Sequence, residues 1–261
     1  MTRALEGILV VAVATLLESV RSRILLVSLF FAVVLVGMSV AAASISFGEE
    51  GRMIVDVGLA AASALGSAIA LSLTIASFAG ELRRRTAYTV LARPIPRWAF
   101  VLGKHLGIVV TIEILVVLMI GATALTLWGY GAAVPSAMWG SLWLTLIEMQ
   151  VVVALATLFS TMTTPVLAAS YTVGMVLAGN LSADIARFAS RLEAKGETGV
   201  AFLRGVYYVL PDLEKLSMRT QAANSLPVDL GYLAYGTAYG LCYAGAALAL
   251  ACWIFARRRM L

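Results

Sequence analysis

The sequence predicts an all-α integral membrane protein. It has six transmembrane helices, an N-terminal interfacial helix, and short extracytoplasmic helices between spans five and six. Three observations carry this. The 261 residues are 61% hydrophobic and only 13% charged, with mean hydropathy +0.95. That is too little polar surface to cover a water-soluble domain of this size. Charge-poor stretches near the ~20 residues that a bilayer crossing needs recur along the chain. The basic residues, 19 against 14 acids, gather in clusters between those stretches, as at the cytoplasmic face of a membrane. The net charge of +5 reads as this flanking charge, so no nucleic-acid partner is expected.

The elements follow in order within a single transmembrane domain, 1–261. Leu5, Ile8, Leu9, Ala12, Val13, Leu16, Leu17 and Val20 recur at helical spacing, with Glu6, Thr15, Glu18 and Ser19 on the other side. This predicts a helix along the cytoplasmic interface; an apolar extension of the first span is the plainer alternative. Span one covers 24–46. Its "SVAAAS" imitates a signal-peptidase site, but the apolar run before it is as long as a full span, so it reads as uncleaved. Span two covers 56–79. Spans three (105–128) and four (138–162) are each interrupted by one acid, Glu113 and Glu148. "TMTTPV" at 161–166 breaks the next apolar run. Pro165 suits the first turn of a helix, which predicts a short fifth span over 165–183. The outer segment 184–229 is too long for a bare loop. Stripes of Ile185, Phe188 and Leu192, and of Val200, Leu203, Val206 and Tyr207, predict short capping helices, with room for a third after Pro211. Span six covers 230–256 and ends in Arg257, Arg258 and Arg259.

Charge bias tests the count. The segment 80–104 holds Arg83, Arg84, Arg85, Arg93, Arg97 and Lys104 against Glu81, whereas 47–56 holds Arg52 against three acids. With six spans and both termini in the cytoplasm, both basic clusters lie inside. Five spans would place the terminal arginines outside.

The segment 80–104 carries more than charge. Basic residues flanking spans orient a chain, and that alone accounts for many such loops. Here the segment is long for a turn, and "RPIPR" contains two prolines that stiffen a bend. "ELRRRTAYTVLA" before it has no helix breaker. A stiff, protruding helix tied to two spans is a lever.

Glu113 and Glu148 approach the middle of their spans. Carboxylates at that depth are costly and face protein or water. Two readings stand: a cation or proton site, or structural hydrogen bonds to Gln150, Thr111, Thr145 or a hydroxyl of another span. Gly58, Ala62, Gly66 and Ala70 recur every four residues in span two, as do Ser170, Gly174 and Ala178 in span five, and Gly236, Gly240 and Ala244 in span six. Small residues at this spacing let helices approach closely, within one subunit or across a dimer seam. Cys242 and Cys252 lie roughly 15 Å apart along one helix, too far for a disulfide. The single histidine, His105, leaves no partner for a histidine-based metal or catalytic centre, so no intramembrane enzyme chemistry is expected.

The pattern of Glu81, Thr86, Leu91, Pro94, Arg97, Gly103 and Lys104 resembles the signature segment of ABC-2-type permeases, the membrane subunits of many ABC transporters. "RSRILLVSL" from Arg21 and "LPDLEKL" from Leu210 are also similar to members of that family. One departure is Arg85, where relatives often carry Gly before the Thr. The resemblance implies that 80–104 is a coupling helix docking on a separate ATP-binding subunit, present in two copies. Arg84, Arg85 and Arg93 would contact it together with the signature residues. It implies a second permease subunit around a central path, outward transport across the cytoplasmic membrane, and no catalysis on this chain. ATP and Mg would be bound by the partner. In line with this, "LGKH" at 102–105 lacks the upstream Gly and following Ser or Thr of a phosphate-binding loop. An ion-coupled carrier using Glu113 and Glu148 is the alternative.

Overall fold

The structure is a computed structural model and describes residues 2–21, 49–84, 96–182 and 210–257, with a few isolated positions between them. The described residues form seven α-helices and no strand. These are α1 (Thr2–Val20), α2 (Glu50–Arg84), α3 (Arg97–Gly129), α4 (Ser136–Met162), α5 (Pro165–Asn180), α6 (Arg219–Ala223) and α7 (Leu230–Arg257), with a 3-10 turn at Glu214–Leu216. Proline sets three of the starts. Pro96 and Pro135 are the extended residues just before α3 and α4, and Pro165 opens α5. At these positions the missing N–H costs nothing. α3 stops in a Schellman turn: Gly131 N donates to Trp128 O at 2.9 Å and Ala132 N to Leu127 O at 3.2 Å. Gly131 takes φ +72° there, a conformation glycine adopts without strain.

Contacts fix the directions of the helices. Along α2 and α3, Gly58 meets Thr123, Gly66 meets Val116, and Ser77 O receives Lys104. The numbers rise in one helix as they fall in the other, so the pair is antiparallel. α4 runs parallel to α2, with Ser63 on Glu148 and Gly66 on Met149. α7 runs parallel to α4, with Gly236 on Leu144 and Gly240 on Ile147. α5 returns antiparallel to α4. Among the described helices α4 is the innermost: all of 151–158 is buried. Buried residues make up 72% of its apolar window, against 28% for α7. A helix that is apolar all round belongs at such a centre.

This arrangement brings Arg84, Arg97 and Arg257 to one end of the bundle, since the Trp98 carbonyl lies against Cys252 and Phe100 stacks on Phe255 at 6.0 Å. We call it the basic end. Glu49, Arg52, Asp56 and Arg219 lie at the opposite end. Exposed Trp98 and Trp128 sit about 45 Å apart along α3 at ~1.5 Å per residue. That matches the ~40–45 Å between the two interfaces of a bilayer, where tryptophan concentrates.

Four helices are long and apolar enough to cross a membrane: α2 over Glu50–Phe78, α3, α4 and α7, with mean hydropathies of 1.9, 2.6, 2.0 and 1.7. Their ends differ from the expected ones. α2 begins at Glu50, so most of the outer loop expected at 47–56 is helical, and it continues through Glu81 to Arg84. α3 begins at Arg97 rather than 105. The prolines of "RPIPR" thus end at a helix start, and the expected coupling segment is shortened from both sides. α5 begins at Pro165 as expected but ends at Asn180. Its 16 residues span only ~24 Å, short of a ~30 Å hydrocarbon core. Of the expected first span, 24–46, only Phe30, Val33, Val34, Gly37 and Ala41 are described, each helical and exposed. Of the expected capping stripes Ile185 and Phe188 are described and helical, while Leu192, Val200, Leu203, Val206 and Tyr207 lie outside the described residues. The third capping helix after Pro211 is present as the 3-10 turn and α6.

α1 packs along α3. Ile8 O and Val11 lie against Gly103, and Ala12 O and Thr15 against Gly107, so the contacts advance by one turn in both helices together. Thr15 and Ser19, expected on a polar outer side, are buried. Leu5, Leu9, Val13 and Leu17 remain exposed.

Candidate functional site

Among the described residues, three places gather polar side chains: the basic end, a layer at mid-height, and a roof at the opposite end. At the basic end, Arg85, Thr86, Leu91, Arg93 and Pro94 lie outside the described residues. Glu81 and Arg84 belong to the last turn of α2, and Arg97 to the first turn of α3, where it is exposed. Lys104 points inward rather than outward. Its side chain is fully buried, Nζ donates to the Ser77 carbonyl at 2.7 Å, and the rings of Phe78 and Phe100 lie 5.1 and 5.5 Å away. A charged hydrogen bond with two aromatic faces ties α2 to α3 where the basic segment leaves and returns. Lys104 is thus a clamp beneath the segment, not a surface residue of it.

The two mid-height acids do not share a site. Glu113 stands midway along α3 and accepts a hydrogen bond from Gln150 Nε2 at 3.0 Å. Glu148, on α4, is 2% exposed and accepts from Ser63 Oγ of α2, at 2.9 Å to Oε1 and 3.1 Å to Oε2. Two residues along a helix turn it by about 200°. Gln150 therefore faces α3 while Glu148 faces α2 and α5.

Glu148 lines a cavity of about 430 Å³ between α2, α4 and α5. Ser63, Ser67, Ser141, Thr145 and Asn180 supply its polar wall. Leu59, Ala60, Val176 and Leu177 supply the apolar one. Leu213, Ser217 and Arg219 close it toward the end opposite the basic one.

That roof is anchored by polar contacts. Arg219 holds Asp56 of α2 through Nε at 2.6 Å. Asp212 is buried. It accepts from Ser182 Oγ at 2.7 Å and pairs with Lys215 Nζ at 3.0 Å, while its own N–H donates to Tyr239 OH at 2.8 Å. Burial alone would raise this carboxyl, but the hydrogen bonds from Ser182 and Lys215 and the Lys215 charge outweigh it and hold the group below its ordinary value. Gly179 lets the roof approach: a Cβ there would stand 2.5 Å from Pro211 O.

The glycines of the expected packing stripes separate. Side chains built on Gly58 and Gly240 would strike Thr123 and Ile147, and one on Gly66 would come within 3.0 Å of Met149 Sδ. A Cβ on Gly236 would stand 3.1 Å from Leu144. A Cβ on Gly174 would meet nothing within 4 Å, so among the described residues no neighbouring helix requires a glycine there. Gly103 and Gly107 hold α1, a role the spacing "GKHLG" could have suggested. Ser63 had no signal of its own, because a lone serine in an apolar span is ordinary.

No protein-family model and no curated protein matches this chain. Fold and site therefore define a class only: an all-α chain whose four long apolar helices fit a multi-pass membrane protein, with a basic end and a capped polar cavity at mid-height.

Proposed function

We propose that this chain is the permease subunit of an ABC-2-type transporter. It forms the substrate path and couples ATP hydrolysis on two copies of a separate subunit to outward transport across the cytoplasmic membrane. The observation that carries this reading is the Lys104 clamp. α2 and α3 are tied together by Nζ to Ser77 O at 2.7 Å, directly beneath the basic segment that joins them. A push on that segment is delivered to both helices as one body. The same two helices carry Ser63 and Glu113 at mid-height. The resemblance of Glu81 through Lys104 to the family signature assigns the pushing partner: an ATP-binding subunit that holds ATP and Mg.

The six-span topology belongs to this reading. The first span lies within 24–46, α5 with the residues after it completes the fifth, and the termini face the cytoplasm with the arginines. α1 rests at the lipid boundary, its exposed Leu5, Leu9, Val13 and Leu17 against acyl chains. A second copy or a related permease completes the path, because the described helices pack around a filled centre, α4, whose residues 151–158 are all buried. Glu113 and Glu148 face different neighbours, which argues against a two-acid ion relay.

Arg93→Glu and Arg97→Glu test the coupling. Both variants are expected to insert normally and to lose more than tenfold of substrate-stimulated ATPase activity in the reconstituted complex. Unchanged stimulation in both would remove the lever.

A further inference from the structure

The Glu148 cavity has the composition of a ligand site. Glu148 is 2% exposed at mid-height, and among the described residues no cation pairs with it. Among the described residues its one side-chain donor is the neutral Ser63 hydroxyl, which supplies a hydrogen bond but no counter-charge. A charge at this depth is costly when alone and far less so when a counter-charge comes with it.

The walls specify the rest. Leu59, Ala60, Val176 and Leu177 offer an apolar surface, and Ser67, Ser141, Thr145 and Asn180 a ring of neutral hydroxyl and amide groups. The volume of about 430 Å³ falls in the range of small-molecule sites, ~300–1,000 Å³. Arg219, the basic group among the described residues of the lining, is held by Asp56 at the roof, so its charge is already matched by a carboxylate.

We infer that this cavity binds an amphiphilic organic cation, its positive charge held beside the Glu148 carboxylate and its apolar body against α2 and α5. This rests on the transporter reading, because it makes such cations the transported class, but its test does not need the ATPase. The probes are tetraphenylphosphonium and tetraphenylborate, equal in shape and opposite in charge. Binding is measured to the purified chain in nanodiscs of phosphatidylcholine, where background partitioning is the same for every variant. Tetraphenylphosphonium is expected to bind saturably, and tetraphenylborate not. Glu148→Gln is expected to weaken the phosphonium at least tenfold. Ala60→Leu, which fills the wall and leaves the carboxylate in place, is expected to do the same and decides the matter if Glu148→Gln does not fold. Absence of saturable phosphonium binding, equal binding of the borate, or wild-type affinity in the folded variants would overturn the cation site. Any of those results would leave the coupling to an ATP-binding subunit standing. Conversely, an ATPase-free complex in native membranes would leave the cation site standing.

Discussion

Lys104 changes meaning between sequence and structure. In the sequence it closes a run of six basic residues, and proximity along the chain groups it with them. In the fold it occupies the second turn of α3, turned into the gap between Phe78 and Phe100, with its ammonium on a carbonyl of α2. Helical phase, not local charge density, decides which basic residues face outward, and the phase could not be known before the start of α3 was. Lys104→Met keeps the apolar stem and removes the charged hydrogen bond. It is expected to cost about 1.5–3 kcal/mol, measured as a lower Tm in detergent, with α2 and α3 losing protection first in hydrogen exchange. An unchanged Tm would show that the ammonium adds nothing to the packing of its stem.

Asp212 gives the pH dependence of the roof. Its carboxyl is held below the ordinary value in the folded chain. Its contribution is therefore fully present above the ordinary aspartate pKa of ~3.9 and is lost as pH falls through the lower, folded value. The roof should stay closed from neutral pH down to about 4 and loosen only below that. Amide exchange across 211–218, corrected for its intrinsic pH dependence, should rise in acid faster than exchange in α4. Asp212→Asn should abolish that difference.

At the scale of elements, the existence of the helices was legible and their lengths were not. Apolar runs without breakers mark α2, α3, α4 and α7, and Pro165 marks the start of α5. Helices, however, run on past the hydrocarbon. Glu50–Asp56 and Glu81–Arg84 extend α2 at its two ends because nothing in "EEGRM" or "GELRR" breaks a helix. Charge locates the bilayer, not the helix terminus. The small-residue stripes were legible as a pattern but not as contacts. The same four-residue spacing that lets α2 and α7 approach their neighbours leaves Gly174, among the described residues, with nothing that a Cβ would meet within 4 Å. The consequence is directional. Gly58→Leu and Gly240→Leu are expected to destabilise the chain by about 1–3 kcal/mol or more through overpacking, whereas Gly174→Leu should leave Tm unchanged in the isolated subunit. A loss with Gly174→Leu only in the assembled complex would place that face in the seam between permease subunits.

At the scale of the whole molecule, the fold joins two devices that the sequence lists separately. The polar layer at mid-height and the basic end share α2 and α3, and Ser63 and Ser77 lie on one helix. What the spacing of Glu113 and Glu148 could not reveal is that they face apart. Span assignments give depth but not azimuth, and azimuth turns one apparent acid pair into a Gln150 contact and a separate cavity. The cavity itself is assembled from α2, α4, α5 and the residues after Pro211. No window of sequence contains it.

The most direct measurement of the central claim is a crosslink from the basic segment in native membranes. A photoreactive residue at Thr89, between the end of α2 and the start of α3, should capture an ATP-binding protein. The yield should change when ATP is trapped on that protein, and the same probe at Trp139, at the opposite end, should capture none. If Thr89 crosslinks only to lipid or solvent-borne quencher while the chain remains folded and inserted, no motor sits on the basic end, and the account of this protein as a driven permease is wrong.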